Sequence, residues 1–206
     1  MNTLKLKVIG ISQLILNNPR CVARFDAFSK EMAKINAKKT RRTDQDYLEL
    51  RKLEIASKRY FDDELGIYVP ASWLAASIAK QSFHVCKVSK ANIRGAVFIV
   101  EQKLKLNYDG MNKVKTATDV IGNSKFHHLM ILPQAAVRLA KNMPISNKWS
   151  FEATVESDPT IIHPSGLKET LAHGCTYGGF GDFGHSSRRP TVAVVAVLRL
   201  LCFFLG

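Results

Sequence analysis

The sequence is short of carboxylates. Seventeen Asp and Glu stand against 30 Lys and Arg in 206 residues, leaving a formal charge of +13. The imbalance points to an anionic partner, and its local clustering favours a nucleic acid over a merely solvated cationic surface. Cysteine is sparse: Cys21, Cys86, Cys175 and Cys202 form no C-x-x-C pair, which argues against a zinc knuckle and against a secreted disulfide framework. No metal and no cofactor are expected. Long apolar runs are also missing. Thr191 to Leu205 is the nearest approach, but it is too short and is broken by Arg199, so it is expected to be a terminal core strand and not a membrane span. The N-terminus has no small-residue cleavage site, and no lipidation signal is present. Neither a Walker loop nor a strand–G-x-G-x-x-G–helix unit occurs, nor do a nucleophile elbow, a paired-acid spacing, an internal repeat or a low-complexity tract.

What is present has the balance of a folded chain, with 46% hydrophobic and 23% charged residues. The patterning predicts an α+β protein, a single domain over 1–206 with a helical insertion at about 22–60 and a lid-like loop at about 108–126. Thr3 to Gly10 alternates, placing Leu4, Leu6 and Val8 on one face of a strand and Lys5 and Lys7 on the other. Val22, Phe25, Phe28, Met32 and Ile35 recur at helical steps. Thr43 with Asp46 forms a capping-box pattern that opens a second helix, with Tyr47, Leu50, Leu53 and Tyr60 on its apolar side. A hairpin is expected over 60–70 with φ > 0 at Gly66, then a helix behind Pro70 capped by Ser72. The run 96–100 reads as a strand buried on both faces, and Lys103-Leu104-Lys105-Leu106 resumes alternation. Later strands are expected within 129–139, interrupted near Pro133, and over 149–156. A helix around 165–173 should end at Gly174.

Two features carry the candidate chemistry. Gly178, Gly179, Gly181 and Gly184, with Phe180 and Phe183 between them, form a loop whose main chain can approach a phosphate, with Arg188 and Arg189 close behind. A plain turn between the last helix and strand accounts for the same residues. Lys38, Lys39, Arg41 and Arg42 form a cationic knot, flanked by Lys34, Arg51, Lys52, Lys58 and Arg59. Phosphates binding there would displace condensed counterions and give salt-dependent affinity. Pairing with Asp44, Asp46, Glu49 and Glu54 explains Arg51 to Arg59 equally well as a solvated helix face. Lys90, Arg94, Lys113 and Lys115 complete the predicted contacts. Phe83, Tyr108, Phe180 and Phe183 are the rings available to stack on bases, with core burial the favoured reading of Phe83. His84, His127, His128 and His185 offer a weak case for a metal-independent endoribonuclease. No pair is fixed by spacing, and His127 and His128 would face opposite ways on a strand.

The strand and turn LKLKVIGISQLILNNPR, the charged helical pair KKTRRTDQDYLELRKLE, the helix lead-in YVPASWLAASI and the late loop GGFGDFG together resemble the RAMP superfamily of CRISPR-associated RNA-binding subunits, and related small phage proteins. The resemblance covers most of the chain in order. It implies a ferredoxin-like, RRM-like antiparallel sheet with helices on one face and RNA contacts at the glycines of the 178–184 loop. It also implies a non-catalytic RNA or single-stranded nucleic-acid binder in the cytoplasm of a bacterial host, oligomerising along its ligand as in an effector backbone. The alternative is a phage interaction protein of anti-CRISPR type that mimics or caps an effector subunit. The chain departs from the phage pattern after the loop: Gly184-His185-Ser186-Ser187-Arg188-Arg189-Pro190 stands where a Gly-Arg-Phe lead into the last strand is expected.

Overall fold

A computed structural model describes residues 1–11, 13–114, 119–134, 137–177 and 192–195. In chain order its elements are β1 (Asn2–Gly10), β2 (Leu14–Ile15), α1 (Ala27–Ala37), α2 (Asp44–Ser57), β3 (Phe61–Asp62), β4 (Gly66–Pro70), α3 (Ala71–Cys86), α4 (Lys90–Ala96), β5 (Val97–Ile99), β6 (Lys103–Lys105), β7 (His127–Gln134), β8 (Val137–Ser146), β9 (Ser150–Ser157), α5 (Pro164–Tyr177) and β10 (Val192–Val195). The fold is α+β. The described residues divide into two compact units, one from Met1–Leu14, Asp62–Asp109 and Asn147 onward, the other from Ile15–Phe61 and Gly110–Ser146. The second unit therefore gathers the expected helical insertion and most of the expected lid.

The first unit is organised by an antiparallel sheet in the order β10-β1-β9-β5. The predicted alternation of β1 is observed: Leu4, Leu6 and Val8 are buried while Lys5 and Lys7 are exposed. Their partners on β9, Val155, Ala153 and Phe151, are buried too, so one face of the two strands forms the core. Gly10 ends β1 because Trp149 lies against it. A Cβ there would overlap the indole, and the Gly10 N–H donates to the Trp149 carbonyl at 2.8 Å. Helices α3 and α5 pack on one another, with Leu74, Ile78, Leu167 and Leu171 buried. Pro70 occupies the N-cap of α3, so Ser72 is not the cap, and α5 runs through Gly174 to Tyr177 instead of stopping there. β4 pairs with β6, Gly66 adopts φ +79° as expected, and Asp62 accepts from the N–H groups of Glu64 and Leu65 to close the turn. Strand β5 is not buried on both faces. Val97 is inside, but Phe98 and Val100 are exposed, because no element covers the outer side of this short edge strand among the described residues.

In the second unit α1 and α2 lie together, and α2 packs on β8 of a long hairpin with β7. The hairpin is a correction: β7 continues through Pro133, paired with Arg138, and β8 was not anticipated. Helix α1 starts later than its apolar spacing predicts. The Asp26 side chain accepts from the Phe28 N–H and sets the N-terminus, which leaves Val22 and Phe25 outside the helix and exposed. Tyr47 is exposed as well; α2 buries its C-terminal turn, at Glu54, Ile55 and Ser57. The expected lid is only partly loop. Short 3-10 turns span Met111–Lys113 and Ser124–Phe126, Val120 and Phe126 are buried, and Gly110 at φ +83° lies so close to the Phe126 ring that a Cβ would stand 2.9 Å away. Among the described residues no helix is long and apolar enough to cross a membrane.

Candidate nucleic-acid interface

The cationic knot forms because two helices must reverse direction between Ala37 and Asp44. Lys38 caps α1 with its own N–H bonded to the Ile35 and Asn36 carbonyls, and Lys39 then enters the left-handed region at φ +50°. A non-glycine residue there carries local strain. A 3-10 turn follows over Lys39–Arg41, Arg42 is extended, and Thr43 begins α2. The capping box read from the sequence is formed: the Asp46 N–H donates to Thr43 Oγ1 at 3.3 Å, and the Thr43 N–H donates to Asp46 Oδ2 at 2.9 Å.

Within this turn the four cations are not equivalent. Lys38 Nζ is bonded to Asp46 Oδ1 at 2.5 Å. That ammonium, with the Thr43 N–H, pulls the Asp46 carboxyl down to about 2. Arg42 donates from Nε to the Lys39 carbonyl at 3.0 Å, and its guanidinium lies 5.5 Å from the Tyr47 ring centroid. Lys39, Arg41 and Arg42 have no carboxylate partner among the described residues. Of the flanking cations, Arg20 pairs with Asp26, Lys34 with Glu31, Lys52 with Glu49 and Lys58 with Glu54, while Lys30 and Arg51 have no ion pair among the described residues. The turn also forms an open depression of about 760 Å3, lined by Ala37, Lys38, Lys39, Thr40, Arg41, Thr43 and Asp46. Its volume falls within the range of small-ligand sites, but those are enclosed and mostly apolar, whereas this lining is polar and cationic. It suits a phosphate arriving from solvent.

Several residues expected at the interface lie elsewhere. Lys58 and Arg59 are buried, Lys58 in an ion pair with Glu54 and Arg59 with its guanidinium 5.9 Å from the Phe61 ring centroid. They are structural because α2 buries its last turn. Tyr108 is buried and presents no ring for stacking. Lys90 and Arg94 are exposed on α4, whose start is capped by Ser89 accepting from the Asn92 N–H. Lys113 is exposed on the 3-10 turn Met111–Lys113. Lys115, Gly178, Gly179, Gly181, Gly184, Arg188 and Arg189, together with Phe180, Phe183 and His185, lie outside the described residues.

His127 and His128 face opposite ways on β7, as their adjacent positions on a strand predict. His127 is buried, with burial and then the charge of Arg51 pushing its pKa down, while His128 is exposed. His84 meets His173, an imidazole that the sequence reading left out, at 5.4 Å between ring centroids. Helical spacing alone could not find that pair, since it depends on the α3–α5 packing. Phe83, expected in the core, is 64% exposed, with Lys87 Nζ 6.0 Å from its ring centroid. No three His, Cys, Asp or Glu side chains among the described residues converge to hold a metal ion. The chain matches no family model, no curated protein and no solved structure.

Proposed function

We propose that this protein is a non-catalytic RNA or single-stranded nucleic-acid binder of RAMP-like architecture. The observation that carries the reading is the Lys39–Arg42 turn, where Lys39 and Arg41 are exposed, Arg42 is half-buried, and none of the three has a carboxylate partner among the described residues, while the neighbouring Lys38 is bonded to Asp46. Cations left unpaired on a rigidly capped turn repel one another until an anion neutralises them, and a polyphosphate backbone does so with release of its own counterions. Lys113 in the same unit, and Lys90 and Arg94 in the first unit, are further exposed cations.

The architecture supports the same reading. In the first unit β1, α3, β5, β9, α5 and β10 occur in that order as βαββαβ, with β4, α4 and β6 as additions between them, and form the sheet order β10-β1-β9-β5 with antiparallel neighbours throughout. This is the arrangement expected of a ferredoxin-like core. The second unit is inserted at two points of that core, after β1 and between β6 and β9.

The test is what the protein carries out of cells. Purified under low salt, it is expected to show a raised 260 to 280 nm absorbance ratio that falls after nuclease treatment, and the released polymer can be sequenced. A preparation free of nucleic acid that instead brings a stable protein complex would overturn the proposal in favour of a protein-directed role.

A further inference from the structure

We infer that the corner between α3 and α4 is a stacking site for an unpaired nucleobase, with Phe83 as the platform and Lys87, Lys90 and Arg94 as phosphate contacts. This rests on the nucleic-acid reading above and adds to it that the ligand is single-stranded. Phe83 is 64% exposed near the C-terminal end of a sixteen-residue helix whose other face is well buried, at Leu74, Ser77, Ile78 and Ser82. Phe83 and Lys87 are four residues apart and so share one side of the chain's path. Lys87 closes the helix in the left-handed conformation, φ +60°, which directs the chain into α4 with its exposed Lys90 and Arg94. Between Glu64 and Glu101 the sequence has no carboxylate at all, and Lys87, Lys90 and Arg94 form no ion pair among the described residues. An exposed ring set in a cationic field is the combination that holds single strands: every base offers a π-face, and the phosphates follow the charges.

The outer face of the four-stranded sheet is the competing platform in the same unit, and its charges disfavour it. There Lys7 stands opposite Glu152 and Thr3 opposite Glu156, and the exposed ring of Phe98 is also paired with Glu156. A phosphate backbone laid across β9 would meet two carboxylates. At the α3–α4 corner it meets none from the segment that builds it. A base in a duplex is already stacked and paired, so Phe83 gains a partner only from an unpaired strand or a flipped base.

The experiment compares the full chain with Phe83→Leu and Phe83→Trp on one RNA sequence, single-stranded and as duplex, and on the single-stranded DNA equivalent. A 5-iodouridine photocrosslink is mapped in parallel. The inference expects Phe83→Leu to weaken single-strand binding about tenfold while leaving duplex binding within about twofold, Phe83→Trp to restore it, and the crosslink to fall on residue 83. Single-strand binding by the unaltered chain that Phe83→Leu leaves unchanged would overturn this site alone and leave the proposed function standing. Failure of the unaltered chain to bind any of the three would overturn both.

Discussion

Lys38 and Arg41 are three residues apart on one turn, yet the Lys38 ammonium is bonded to the Asp46 carboxylate while the Arg41 guanidinium has no carboxylate partner among the described residues. Their substitution should therefore separate. Arg41→Gln is expected to weaken RNA binding several-fold and to lower the slope of log affinity against log salt by about 1, the signature of one lost phosphate contact. Lys38→Gln should leave that slope nearly unchanged. Fluorescence anisotropy across a salt series measures both, and equal losses would show that the Asp46 pair does not hold Lys38 back from the ligand.

Lys39 has φ +50°, a conformation glycine adopts without strain. Lys39→Gly is expected to raise thermal stability, by up to about 1 kcal/mol, while weakening nucleic-acid affinity. A melting curve and a binding isotherm on the same sample test the pairing of effects. A change in the same direction for both would contradict it.

Acid should loosen the two capped turns. Asp46 and Asp62 titrate at about 2 in the folded chain, held down first by Lys38 and by Lys103 respectively, against an ordinary value of 3.8. With a folded value below the unfolded one, the stabilisation is fully present above about pH 4 and disappears as the pH falls toward 2. Asp46→Asn is expected to flatten the decline in melting temperature across that window and to leave the neutral-pH fold intact. An unchanged acid limb would contradict the assignment.

Gly10 has no room for a side chain. Gly10→Ala would drive a methyl group into the Trp149 indole, which is stacked on Phe151 at 6.1 Å between centroids and almost wholly buried. Overpacking of this kind costs roughly 1–3 kcal/mol. Denaturant unfolding should show it as a lowered midpoint with an unchanged slope.

Much of the fold was legible wherever one local signal decided the outcome. The alternation of Leu4, Leu6 and Val8, the Thr43–Asp46 capping box and the positive φ at Gly66 are each set by a few adjacent residues, and each is observed. Errors arose where tertiary packing chose between equal local options. Phe25 fits the apolar helical stripe, yet the Asp26 cap starts α1 behind it. Phe83 has the residue type of a core position, but the neighbours of α3 lie against its other face. Lys58 and Arg59 continue a run of surface charge in sequence, although the last turn of α2 is where that helix is buried. The candidate interface was legible as an excess of charge. Which cations remain available was not, because that depends on Asp46 reaching back to Lys38 across a reversal of the chain.

The central claim is tested most directly by measuring the affinity of the unaltered chain for single-stranded RNA from about 50 to 200 mM salt, beside a Lys39→Gln/Arg41→Gln/Arg42→Gln variant. The account predicts a linear fall of log affinity with log salt for the unaltered chain, and a slope shallower by about 2 to 3 for the variant. Binding that is absent, insensitive to salt, or unaltered in slope by the triple substitution would contradict it.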